Sequence, residues 1–232
     1  MKITIKSMAF TLVEVLITLA IIGIVATLTL PRLISNITSR SYATQIKNFS
    51  AQIQQLATDQ LVNHRTNTLF NTDFTSAARF VTNDNFVITK FCNDDTALTD
   101  CWKTSANVSS SRRVRYKSIY SNNVTVSSIS TGTGVSAILK NGILFRYFPV
   151  ENNDNAIGYF TVDVNGVDGP NIVGKDLFGF YVTPRGQIVD PTGIGAVASE
   201  SVRESRCKDG TTIYYESYCY GSLIDRNWAP IE

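Results

Sequence analysis

Histidine is almost absent from this 232-residue chain, which holds one, His64. Its four cysteines contain no C-x-x-C pair. Together these shortages leave no Cys/His set at zinc spacing and no thiol-redox motif. The chain also lacks G-x-S-x-G, a glycine-rich phosphate loop ending in Gly-Lys-Ser/Thr, and H-E-x-x-H, so no enzymatic activity and no catalytic residue is expected. Excess charge of one sign is missing as well. The 21 basic and 19 acidic side chains leave a formal net charge of +2, which gives no bulk attraction for nucleic acid. No repeat or coiled-coil heptad is present, and beyond the first 30 residues no long hydrophobic run occurs. The chain therefore has one membrane helix at most.

That single run is Phe10–Leu30, FTLVEVLITLAIIGIVATLTL, with Glu14 as its only charge. As a helix it would span about 30 Å, the thickness of a bilayer hydrocarbon core. Residues 1–9, MKITIKSMA, carry Lys2 and Lys6 and no acid, the flank expected on the cytoplasmic side, so the rest of the chain should lie across the bilayer. The run is longer than a secretory signal core and ends in ATLTLPRL without an A-x-A-like cleavage site, which disfavours a simple cleaved signal. Glu14 is the anomaly. A carboxylate at the centre of a membrane helix costs about 2.5–3.5 kcal/mol on insertion scales, less near its end. It either reaches the headgroups at the helix start, where the helix dipole favours an anion, or awaits a positive partner within the bilayer.

Met8-Ala9-Phe10-Thr11-Leu12-Val13-Glu14 resembles the prepilin cleavage motif of type IV pilins and type II secretion pseudopilins. The resemblance covers about the first 31 residues and implies a short leader, 1–9, cut between Ala9 and Phe10 by prepilin peptidase. Phe10 would then be N-methylated, and Glu14 would neutralise the Phe10 amine of a neighbouring subunit during docking. Pairing recovers part of the desolvation penalty that each charge pays alone. Gly23 and Pro31 fall where these pilins have helix-weakening residues, so the stretch between them would unwind locally when a filament packs; a plain kink at the membrane exit is the alternative. Ala9 departs from the family's usual glycine before the cut. The implied partners are like subunits in a helical filament, the prepilin peptidase/N-methyltransferase, an inner-membrane assembly platform and the lipid bilayer. The implied location is the bacterial inner membrane, single-pass with an extracytoplasmic head, then an extracellular or periplasmic filament. An alternative is a minor or tip pilin whose head adheres to surfaces or takes up DNA, a role that the head's size favours.

After Pro31, apolar residues at Ile46, Phe49, Ile53, Leu56, Ala57 and Leu61 recur at three- and four-residue steps, the pattern of one buried helix face. One long helix is expected over 10–62, its first part (10–30) transmembrane, followed by a head over 63–232. His64, between Asn63 and Arg65 near the end of that helix, should face solvent. A short helix around Asp73–Phe80 and strands at 86–91, 113–120, 123–129, 157–162, 177–183 and 187–189 are expected. The clearest hairpin pairs 135–140 with 143–150 across Asn141-Gly142, a pair suited to a type I′ turn. The tyrosine-rich tail reads as a strand-and-loop segment. The fold class is α+β, a long N-terminal helix on an antiparallel sheet; its match to the general pilin fold rests partly on the resemblance.

Three features of the head invite chemistry. In an exported chain Cys92, Cys101, Cys207 and Cys219 read as two disulfides; three pairings are possible, and loop entropy favours Cys92–Cys101 and Cys207–Cys219. Asp163, Asn165, Asp168, Asn171 and Asp176 lie in a glycine-punctuated loop and could supply oxygens to calcium; no other cofactor is expected. The loop also resembles one seen in some pilin-like heads, a few of which hold calcium. The alternative is that Asx-turns merely fold a strand connection. Arg112, Arg113, Arg115 and Lys117, with Tyr116 and Tyr120, form the only basic cluster, read as a solvated strand face or a subunit contact before a nucleic-acid grip.

Overall fold

The computed structural model describes residues 11–82, 86–93, 101–102, 116–119, 125–126, 134–151, 153–166, 169–196, 198–209 and 215–231. They form two compact units, Met1–Ser39 and Arg40–Glu232. Helix α1, Leu12–Asn63, contributes to both and continues through Pro31. In the first unit its apolar side chains, from Leu12 to Ile37, are exposed. In the second, the apolar face read from the sequence is buried at Ile46, Phe49, Ile53 and Ala57. His64 is exposed.

The larger unit holds helix α2 (Ala77–Thr82) after two short 3-10 turns. Its strands are β1 (Ile88–Asn93), β2 (Tyr116–Ser118), β3 (Thr125–Val126), β4 (Val135–Leu139), β5 (Leu144–Pro149), β6 (Gly158–Asp163), β7 (Ile172–Val173), β8 (Leu177–Val182) and β9 (Ile188–Val189). They make one sheet in the order β1-β4-β5-β6-β8-β7-β2-β3, with β9 also on β8. Helices α3 (Glu200–Asp209) and α4 (Tyr215–Asp225) end the chain. The architecture is thus α+β.

The core assembles on one sheet face. Alternation and register put Phe145, Tyr147, Phe160, Val162, Phe178 and Phe180 together there, and Phe49 of α1 is inserted among them. Its ring lies 5.4 Å from Phe145, 6.1 Å from Phe160, 6.2 Å from Phe180 and 6.5 Å from Phe86. Burying one such side chain is worth about 1.5–3 kcal/mol, and each favourable ring pair adds about 0.5–1.5 kcal/mol. The opposite face is largely buried too, and beside apolar side chains such as Leu144 and Leu177 it carries a polar row. Ser136, Arg146 and Thr161 stand in one cross-strand row ending at Gly179. Trp102 Nε1 donates to Ser136 Oγ at 2.8 Å, and the Arg146 guanidinium stacks 5.1 Å from the Phe148 ring.

Three expectations are corrected. The sheet is mixed: β2 with β7 and β7 with β8 run parallel, and between β7 and β8 the chain makes one turn in which Lys175 and Asp176 N–H both bond Ile172 O. The hairpin turn is not type I′. Gly142 alone of its pair has positive φ, at 88°, while Gly142 N–H bonds Leu139 O and Leu139 N–H bonds Ile143 O. That is a three-residue loop, a type I turn closed by a glycine bulge. The tail is helical. Tyrosine-rich composition favours strand, but packing overrides propensity: Ser199 caps α3 through its carbonyl and hydroxyl, and α4 packs on β8 with Tyr220 5.2 Å from Phe180. Both disulfides take the local pairing, Cys92–Cys101 and Cys207–Cys219.

Phe49→Ala should lower unfolding stability by about 3–5 kcal/mol, read as a shifted denaturant midpoint by tryptophan fluorescence of the detergent-solubilised chain. A loss within about 0.5 kcal/mol, as for a surface substitution, would put Phe49 outside the core.

Candidate functional site

Two regions hold the residues singled out by the sequence. The first is the start of α1. Ala9 and Phe10 lie outside the described residues. Thr11 stands just before the helix and Glu14 in its first turn. Glu14 Oε2 accepts from Thr11 N–H at 2.9 Å and from Thr11 Oγ1 at 2.8 Å, and Glu14 N–H bonds Thr11 Oγ1 at 3.3 Å. This reciprocal arrangement is a capping box, which satisfies donors that a helix start leaves open. Glu14 Oε1 takes no hydrogen bond among the described residues. The Thr-x-x-Glu spacing is the signal that could have identified the box in the sequence.

Further along, the helix runs unbroken past Gly23 and Pro31. Thr27, midway between them, donates its hydroxyl to Gly23 O at 2.6 Å and Ile24 O at 3.0 Å. Pro31 has no N–H to give to the Thr27 carbonyl, so one rung of the ladder is absent there. By length and composition α1 is a candidate membrane span, and the side chains of its most apolar stretch are unburied.

The second region is the loop around Asp163–Asp176. Both carboxylates are buried, and each is held by the loop's own backbone. Asp176 accepts from Asn171 N–H at 2.7 Å and Ile172 N–H at 2.6 Å. Asp163 accepts from Asn165 N–H at 3.2 Å and from the Tyr116 hydroxyl at 2.6 Å. Asn165 Nδ2 donates to Gly169 O. Asp168 lies outside the described residues. Among those described, no three His, Cys, Asp or Glu side chains converge as a metal-holding group.

Burial governs the charge of these acids. Asp163 is pushed up to about 8, by desolvation first and the nearby Asp176 second. Desolvation also lifts Asp176 to about 6, although its N–H donors pull the other way. Tyr116 is raised well above its ordinary value by burial and then by Asp163. Tyr42 of α1 is also raised, by burial first and then by Asp176 and Asp163; neither it nor Tyr116 is legible from the sequence as a neighbour of the loop. Arg112, Arg113, Arg115 and Tyr120 lie outside the described residues. Tyr116 and Lys117 alternate on β2, one buried and one exposed.

Comparison with protein-family models, characterised proteins and solved structures finds no match for this chain.

A folded-state pKa above the unfolded value of about 3.9 means that the folded chain holds extra protons. Stability from Asp163 and Asp176 is therefore full below about pH 4 and falls as pH rises toward 6 and 8. Asp163→Asn should flatten this decline and unfold at a higher temperature than wild type at pH 8 in scanning calorimetry. An unchanged slope would mean that Asp163 is ionised in the fold throughout.

Proposed function

We propose that this chain is a filament subunit of the type IV pilin and type II secretion pseudopilin class, matured at Phe10 and assembled through its N-terminal helix. The observation that carries this reading is the motif Met8–Glu14, which runs into the first turn of a helix whose most apolar stretch is unburied. A membrane would cover those side chains before assembly, and packing against like helices would cover them afterwards. The head, on this reading, is extracytoplasmic and structural.

Glu14 fits the docking role chemically. Its capping box occupies one carboxylate oxygen and leaves the other open toward a cation. An incoming subunit's N-terminal amine would meet an anion already oriented by Thr11, in a medium where an uncompensated charge is costly. Gly23 and Pro31 would then be the places where α1 yields as subunits pack, since neither holds the helix as alanine would.

Intact-mass and N-terminal analysis of the membrane-derived protein tests the proposal. The mature chain should begin at N-methylated Phe10. Glu14→Ala should be processed equally yet fail to enter sheared filaments. An intact Met1, or a cut beyond Leu30, would sink the assignment.

A further inference from the structure

Beyond the N-terminal machinery, the head carries a buried carboxyl group that neither reading above uses. Strand β8 is paired on its outer side by β7 only at Leu177 and by β9 only at Tyr181 and Val182. From Phe178 to Phe180 it has no strand neighbour there among the described residues, and α4 packs on this stretch instead. Gly179 makes the fit possible: a Cβ at that position would overlap the Tyr159 hydroxyl and come within 2.8 Å of Glu216 Cγ. Into this gap α4 places Glu216, buried, with Tyr159 donating to its Oε1 at 2.8 Å.

No cation compensates Glu216 among the described residues. On α3, Arg203 is committed to Asp225 at 2.5 Å and Asp190 at 3.6 Å, and Lys208 to Glu204 at 2.6 Å. Arg206 stacks on Tyr218, and Lys47 of α1 on Trp228. Asp190, ahead of the turn Pro191–Ile194, abuts Gly221 of α4. Arg146 stands two strands away along the row that ends at Gly179, over Phe148. Among the described residues, Tyr181 also stands beside this pair, its ring 4.5 Å from that of Tyr159.

The geometry points to a proton-operated latch: protonated Glu216 holds α4 on the open stretch of β8, and loss of that proton releases the α3–α4 hairpin. The hairpin moves as a unit because Cys207–Cys219 joins its helices. Two effects oppose each other at Glu216. The start of α4 favours an anion only weakly, whereas burying a charge without a cation beside it is strongly unfavourable. Burial prevails, and the carboxyl titrates above its ordinary range. The docked state therefore binds the extra proton, and opening grows as pH rises, by up to about tenfold per pH unit.

Hydrogen exchange of the whole chain in detergent, from mildly acid to mildly alkaline pH, tests the latch. Corrected for chemical exchange rates, α4 amides should open progressively more than those of β5 and β6 as pH rises, by up to about tenfold per pH unit. Glu216→Gln should abolish that slope, whereas Asp163→Asn should leave it. A slope retained in Glu216→Gln, or absent from wild type, overturns the proposal. If Glu216→Gln does not fold, Tyr159→Phe decides. Faster α4 exchange with the slope preserved supports the latch; unchanged α4 exchange overturns it.

Discussion

The Phe49 ring meets Phe86, Phe145, Phe160 and Phe180, side chains from the segment before β1 and from β5, β6 and β8. These contacts bind the second part of α1 into the larger unit, and they dictate much around them. A ring inserted from a helix needs a sheet face of matching rings, so aromatic residues must alternate in phase along neighbouring strands. Shifting β6 by one residue would replace Phe160 with Tyr159 and turn the whole set toward the wrong face. The register of β5, β6 and β8 and the seating of α1 are thus a single constraint.

The other face solves a different problem. Because it is also covered, its polar groups have to find partners within the protein. Ser136 meets Trp102, Asp163 meets Tyr116, and Glu216 meets Tyr159. Neutral donors are used where cations might be expected, and burial then raises the pKa of the acids. The glycine-punctuated loop works similarly, with backbone N–H groups folded around Asp176 in place of a side-chain cation.

What was legible in the sequence follows from the reach of its signals. Helix α1 was readable because its periodicity is sustained, and the strands around Gly142, at β6 and at β8 because alternation and turn residues agree. The first strand begins two residues later than expected, since Phe86 and Val87 are apolar but precede the ladder. The hairpin loop differs from its expected type because Asn-Gly serves both a two-residue type I′ turn and a three-residue loop with a glycine bulge, and the dipeptide alone does not choose between them. The tail misled because tyrosine favours strands in isolation, while its packing on β8 depends on residues far away in the chain. At the candidate sites, individual residues were legible and their partners were not. Nothing local announces that Tyr116 reaches Asp163, 47 positions away.

The two disulfides close short stretches, with sequence separations of 9 and 12. Neither ties α1 to the sheet or one end of the head to the other. Each can form once its own short segment is in place, without waiting for the rest of the chain. Covalent order and folding order are consequently independent, and long-range topology is left to reversible packing, which can correct an early mistake that a distant crosslink would have locked in.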